Sequence, residues 1–160
     1  MVVEESGGGF ALNTFGAVLR FAIEREEKVA HFLAQAAAEA QNQEVAQLLS
    51  RLSAGCDRRA QELFRIRREN VAEMILEPVK GMDGAAFLRD LTPAGNVSDA
   101  DRLRLASLLL GDAERFYLEA SSRLSIGEVS RLLRKLAREC VRARAEVESA
   151  LDASSGERAI

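Results

Sequence analysis

Residues 22–63 and 106–147 carry one pattern written twice, at an offset of 84 residues and without a gap. Ala22 aligns with Ala106, Phe32 with Phe116, Ala36 with Ala120, and Glu44 and Val45 with Glu128 and Val129. Leu48, Leu49 and Leu52 align with Leu132, Leu133 and Leu136, and the two cysteines, Cys56 and Cys140, also coincide. Two copies are too few for a solenoid, in which each repeat is covered only by its neighbours. The duplication therefore predicts two helical hairpins that bury their apolar faces on each other about a pseudo-twofold axis.

Composition agrees with an all-α chain of one domain. The apolar fraction of 48% is dominated by Ala and Leu, Trp is absent and only 2 prolines occur in 160 residues. A net charge of −3 leaves no basic excess to neutralise phosphates along a strand, and no aromatic platform accompanies the arginines, so nucleic acid is not expected as a partner. No apolar run approaches the roughly 20 residues that span a bilayer, and the N-terminus lacks the basic-then-apolar layout of a signal peptide. A cytoplasmic protein is expected, with its cysteines as thiols by default.

Residues 1–12 read as a flexible leader with three consecutive glycines, residues 13–153 as a single bundle domain, and residues 154–160 as a fraying tail. Asn13 is the expected cap of helix 1, whose inward stripe is Leu19, Ala22, Glu26, Val29, Leu33 and Ala36. After a short reversal at residues 41–43, helix 2 shows Val45, Leu48, Leu52, Cys56, Arg59 or Ala60, and Leu63 inward, and no breaker stops it before Pro78. Residues 78–98 hold both prolines and three glycines around one apolar turn, the composition of a linker. Ser98 with Asp101 opens helix 3, and Ser125 with Glu128 makes a capping box for helix 4, whose inward stripe is Val129, Leu132, Leu136, Cys140, Ala143 and Val147. Leu103, Leu105, Leu108, Leu109 and Leu110 point to every side of helix 3, which predicts a homodimer through that helix.

Two hairpins joined by a long crossover, each with Ala and Phe near the middle of its first helix and EV..L...L opening its second, resemble the ferritin-like superfamily. The likeness is closest to rubrerythrin-type domains, and it is carried by Ala-x-x-x-Glu ahead of HFL and by RFYLEAS in helix 3. The resemblance implies a four-helix bundle of two antiparallel hairpins with a di-iron carboxylate site in its core. There the first helix of each hairpin gives a glutamate and the second gives Glu-x-x-His. Carried onto this sequence, the glutamate positions fall on Glu26 and Leu110, and the Glu-x-x-His positions on Cys56 with Arg59 and on Cys140 with Ala143. Glu26 alone matches. Glu114 lies one turn beyond Leu110 and is a possible extra carboxylate, while His31 falls on the other side of helix 1 from Glu26. The rubredoxin-type Cys-x-x-Cys pair of full-length rubrerythrins is absent from the chain.

Iron of this kind is held by several carboxylates and imidazoles, so the retained set is unsuited to it. Cys56 and Cys140 with Glu26 could hold a soft metal such as zinc, could form a redox pair or disulfide, or could simply fill a vacated cavity as small apolar groups. Arg59 either turns inward to hold Glu26 or turns out to solvent. The reading favoured by these residues is a non-catalytic binding or assembly module with no cofactor. The alternative is an iron- or zinc-binding or thiol-based redox protein of the oxidoreductase theme, using Glu26, Cys56 and Cys140.

Overall fold

A computed structural model describes residues 11–72, 78–91 and 96–158. Residues 1–10 of the expected leader, 73–77, 92–95 of the expected linker, and 159–160 lie outside the described residues. Among the described residues the named helices are four: α1 (Phe15–Glu39), α2 (Gln43–Glu69), α3 (Asp99–Arg123) and α4 (Gly127–Arg158), with a 3-10 turn at Gly84–Phe87 before α3. α1 packs mainly on α2 and α3 mainly on α4, and the described residues form no strand. The architecture is an all-α four-helix bundle, and no helix among the described residues is long and apolar enough to cross a membrane.

Each helix end has a local cause. Thr14, one residue later than expected, caps α1 by accepting a hydrogen bond from the Ala17 amide at 3.0 Å. Asn13 instead lends its carbonyl to Val79 at 2.9 Å, which occupies it in pairing with the linker. Asn42 caps α2, its Oδ1 accepting from the amides of Glu44 and Val45 at 2.8 and 3.1 Å. α2 does not continue unbroken to Pro78. It ends at Asn70, whose side chain turns back to donate to the Ile66 carbonyl at 2.8 Å and so competes with the helical ladder. Ser98 and Asp101, the expected opening of this helix, form a full capping box on α3. α4 runs past Ala153 to Arg158, because the single Gly156 costs only about 1 kcal/mol in a helix and no proline follows it.

Two polar devices fasten the ends of the bundle. At the α1–α2 turn the Asp99 carboxylate accepts from the Gln41 and Asn42 amides at 3.0 and 2.7 Å. Burial pushes the Asp99 carboxyl up, but those amides and Arg102 outweigh it and hold it below its ordinary value. At the α3–α4 turn the Ser130 hydroxyl lies 3.0 Å from the Ser121 carbonyl and 2.9 Å from the Leu124 carbonyl.

The linker is pinned to the start of α1. Leu12 donates its amide to the Met82 carbonyl at 3.1 Å, and Leu12, Val79, Met82 and Phe87 are buried in the main core, so Leu12 belongs to the domain and not to the leader. Gly81 has a φ of 82°, a conformation that side chains disfavour, and the Arg123 guanidinium packs where its Cβ would be.

The inward stripes lie where the 3.6-residue period places them. Leu19, Ala22, Val29, Leu33 and Ala36 of α1, Leu48, Leu52 and Leu63 of α2, and Val129, Leu132, Leu136 and Val147 of α4 are all buried. On α3, Leu103, Leu109 and Leu110 are buried within the chain and Leu105 is half-buried, which leaves Leu108, 47% exposed, facing solvent.

Candidate functional site

α1 places Glu26 on its apolar stripe and α2 places Arg59 on its own, and the two meet in the bundle interior. Arg59 Nε donates to Glu26 Oε2 at 2.9 Å, with the side chains 5% and 1% exposed. Tyr117 of α3, itself buried, donates its hydroxyl to the same oxygen. Arg59 Nη2 donates to Cys56 Sγ at 3.4 Å, one helical turn back on α2. A buried carboxylate costs several kcal/mol unless it is paired and hydrogen-bonded, and Glu26 receives a cation and a hydroxyl at once.

The electrostatics follow from this geometry. Burial opposes the charge on Arg59, but the Glu26 carboxylate beside it holds the guanidinium protonated well above its ordinary range. Burial and the Glu26 charge push the Tyr117 phenol far up, so it stays a donor. The Cys56 thiol is raised by burial first and by Glu26 second. Burial pushes the Cys140 thiol up to about 12 against the pull of Arg59. Both cysteines are buried free thiols. A protonated, enclosed thiol is a poor nucleophile and a poor metal ligand. Neither should therefore react with a disulfide reagent in the native protein at pH 8, and both should react once denaturant is added. Rapid native labelling of either one would contradict the enclosure.

The other positions carried over from the resemblance supply no ligands. Leu110 is buried in the same core, Ala143 is half-buried on α4, and Glu114 is half-buried on α3 outside the hydrogen-bonded cluster. His31 is on the exposed side of α1, beside Glu27, Lys28 and Phe32. Among the described residues no group of three or more His, Cys, Asp or Glu could hold a metal. A di-iron or zinc centre does not fit here, because Glu26, the one retained carboxylate, is already engaged through Oε2 by Arg59 and Tyr117, and a guanidinium beside a cation repels it.

A second polar group lies next to this one and was not foreseen from the sequence. Arg25, buried on α1, donates from Nε to the Phe87 carbonyl at 3.2 Å and from Nη2 to the Leu109 carbonyl at 3.0 Å. It thereby ties α1 to the 3-10 turn and to α3. Asp112 accepts two bonds from Arg89 at 2.7 and 2.9 Å and one from Arg115 at 3.1 Å. Burial raises the Asp112 carboxyl, and those two arginines more than reverse it, so it is held below its ordinary value. Tyr117 did leave a trace in the sequence, since it is the only tyrosine and follows Leu110 by seven residues, two helical turns along the same face.

Comparison with protein-family models, with curated proteins and with solved structures gives no match.

Proposed function

We propose that the chain is a ferritin-like bundle of the rubrerythrin type in which a buried ion pair stands where the family holds its metal, and that it acts as a non-catalytic binding or assembly module. The observation that carries this reading is the Arg59 guanidinium bonded to Glu26 in the bundle core. The cluster holds its protons tightly, presents no open coordination position, and does nothing that a redox centre needs.

The order of contacts supports the finer topology of two antiparallel hairpins joined by a crossover. Ser53 reaches back to Ala30 and Arg59 to Glu26 between α1 and α2, while Ser107 meets Glu148 and Gly111 meets Arg144 between α3 and α4, so residue numbers rise on one helix as they fall on the other. Asp99, at the start of α3, bonds the α1–α2 turn, so the chain has returned along the bundle after α2.

The alternative, an iron, zinc or thiol redox protein using Glu26, Cys56 and Cys140, is opposed by the pairing of Glu26 and the raised thiols. Protein made with iron and zinc supplied, and purified without chelators, should contain far less than one metal per chain by elemental analysis. Near-stoichiometric iron or zinc, displaced when Glu26 is replaced by Gln, would overturn the proposal.

A further inference from the structure

Between α2 and α4 a groove of about 710 Å³ leads from the surface down to Arg59. It is lined by the small residues Gly55 and Ala143, by Arg51, Arg58 and Arg142, and by the carboxylates Glu139 and Glu146. Nε and Nη2 of Arg59 are committed to Glu26 and Cys56. Nη1 is not. It makes no hydrogen bond among the described residues, lies 4.0 Å from Glu139, and faces the groove from a side chain that is 5% exposed. Gly55 shapes the place where it points. A Cβ on Gly55 would sit 3.5 Å from Arg59 Nη1 and 3.6 Å from Arg58 Nη2, so two guanidinium groups converge on a hollow that exists because residue 55 has no side chain.

The charges leave this hollow positive. Four arginines, Arg51, Arg58, Arg59 and Arg142, stand against three carboxylates, Glu26 on Arg59, Glu146 at 3.9 Å from Arg51 and Glu139 at 4.0 Å from Arg59, while Lys135 is shared between Glu62 at 2.8 Å and Glu139 at 3.4 Å. Arg58 and Arg142 have no carboxylate within salt-bridge distance among the described residues. An N–H donor held in place by the other two nitrogens of its guanidinium, and flanked by two guanidinium groups with no carboxylate in reach, matches a tetrahedral oxyanion, whose oxygens accept from several donors at once.

We propose that this groove binds the phosphate group of a small phosphomonoester or inorganic phosphate, held by Arg59 Nη1, Arg58 and Arg142 over Gly55. The site goes beyond the loss of the metal centre and rests only on Glu26 fixing Arg59. Metal content and phosphate binding can therefore fail separately.

The test is thermal unfolding of the full chain at low ionic strength, with inorganic phosphate, with glycerol phosphate, and with chloride at matched ionic strength. Millimolar phosphate or glycerol phosphate should raise the midpoint by a few degrees over chloride. The phosphate arm alone responding marks the free anion, and a stronger response to glycerol phosphate marks the ester. Replacing both exposed arginines, R58Q with R142Q, should leave the fold intact and weaken binding about a hundredfold, at roughly one order of magnitude per lost charged hydrogen bond. Gly55→Ala is the sharper variant. It makes only ordinary contacts in the free protein and should raise the unliganded midpoint, while its methyl group fills the hollow and weakens phosphate about tenfold. No midpoint rise over chloride with either ligand, or an undiminished rise in R58Q/R142Q or in Gly55→Ala, overturns the proposal.

Discussion

Arg59→Met should destabilise the bundle by about 3–5 kcal/mol, because it strands the Glu26 carboxylate in an apolar interior with no counter-charge and only neutral partners, the Tyr117 hydroxyl and the Cys56 thiol. Glu26→Leu should be comparably harmful from the other side, leaving the guanidinium without its counter-charge. The double variant E26L/R59M should recover most of that loss, since a buried pair and a well-packed apolar pair of similar volume are often close in stability. It should not recover all of it. Tyr117 would then have lost its acceptor, at a cost of about 1–3 kcal/mol, and adding Tyr117→Phe should restore that remainder. Urea unfolding of the single, double and triple variants gives the coupling energies directly. Additive losses across the cycle would show that the side chains do not act as a unit.

Phe116→Ala should cost about 3–5 kcal/mol, and the loss should fall unevenly on the structure. The Phe116 ring lies 5.3 Å from Phe21 of α1, 5.3 Å from Phe87 of the 3-10 turn and 5.7 Å from Tyr117, so one side chain joins three segments. Its counterpart in the first copy, Phe32, is half-buried at the edge of an open groove, and Phe32→Ala should cost only about 1–2 kcal/mol. Amide exchange adds a positional signature. The turn amides of Ala86 and Leu88, which donate to the Asp83 and Ala85 carbonyls, should exchange faster in F116A and not in F32A. Equal losses for the two substitutions would mean that the aromatic contacts carry no special weight.

The parts of this structure that sequence reasoning reached are those written at fixed spacing. The inward stripes of α1, α2 and α4 follow from the 3.6-residue period, and Glu26 and Arg59 were visible as isolated charges on two of those stripes. Partners far apart in sequence left no such pattern. Arg25 reads as one more charge in EREEK until the chain folds, because its acceptors are main-chain oxygens 62 and 84 residues away. Helix ends misled by a residue or more for a related reason. Asn13 and Thr14 are both good caps, and the choice between them is made by Val79, which binds the Asn13 carbonyl. The leucines of α3 read alike in the sequence, which does not separate Leu103, Leu109 and Leu110, buried by the rest of the chain, from Leu108, which stays at the surface.

The Arg25 guanidinium donates to the carbonyl of Leu109, the residue that occupies its own place in the second copy. The same inequality runs through the core: Glu26 answers to Leu110, Arg59 to Ala143 and Tyr117 to Leu33. Each polar member of the cluster thus has an apolar twin. In an assembly of two identical hairpins, position 25 would face itself and two guanidinium groups would compete for one site, while the carboxylates and arginines of the core would be doubled in the same volume. Joining both copies in one chain removes that constraint. It lets Arg25, Glu26 and Arg59 sit in one half while Leu109, Leu110 and Ala143 hold the matching places in the other.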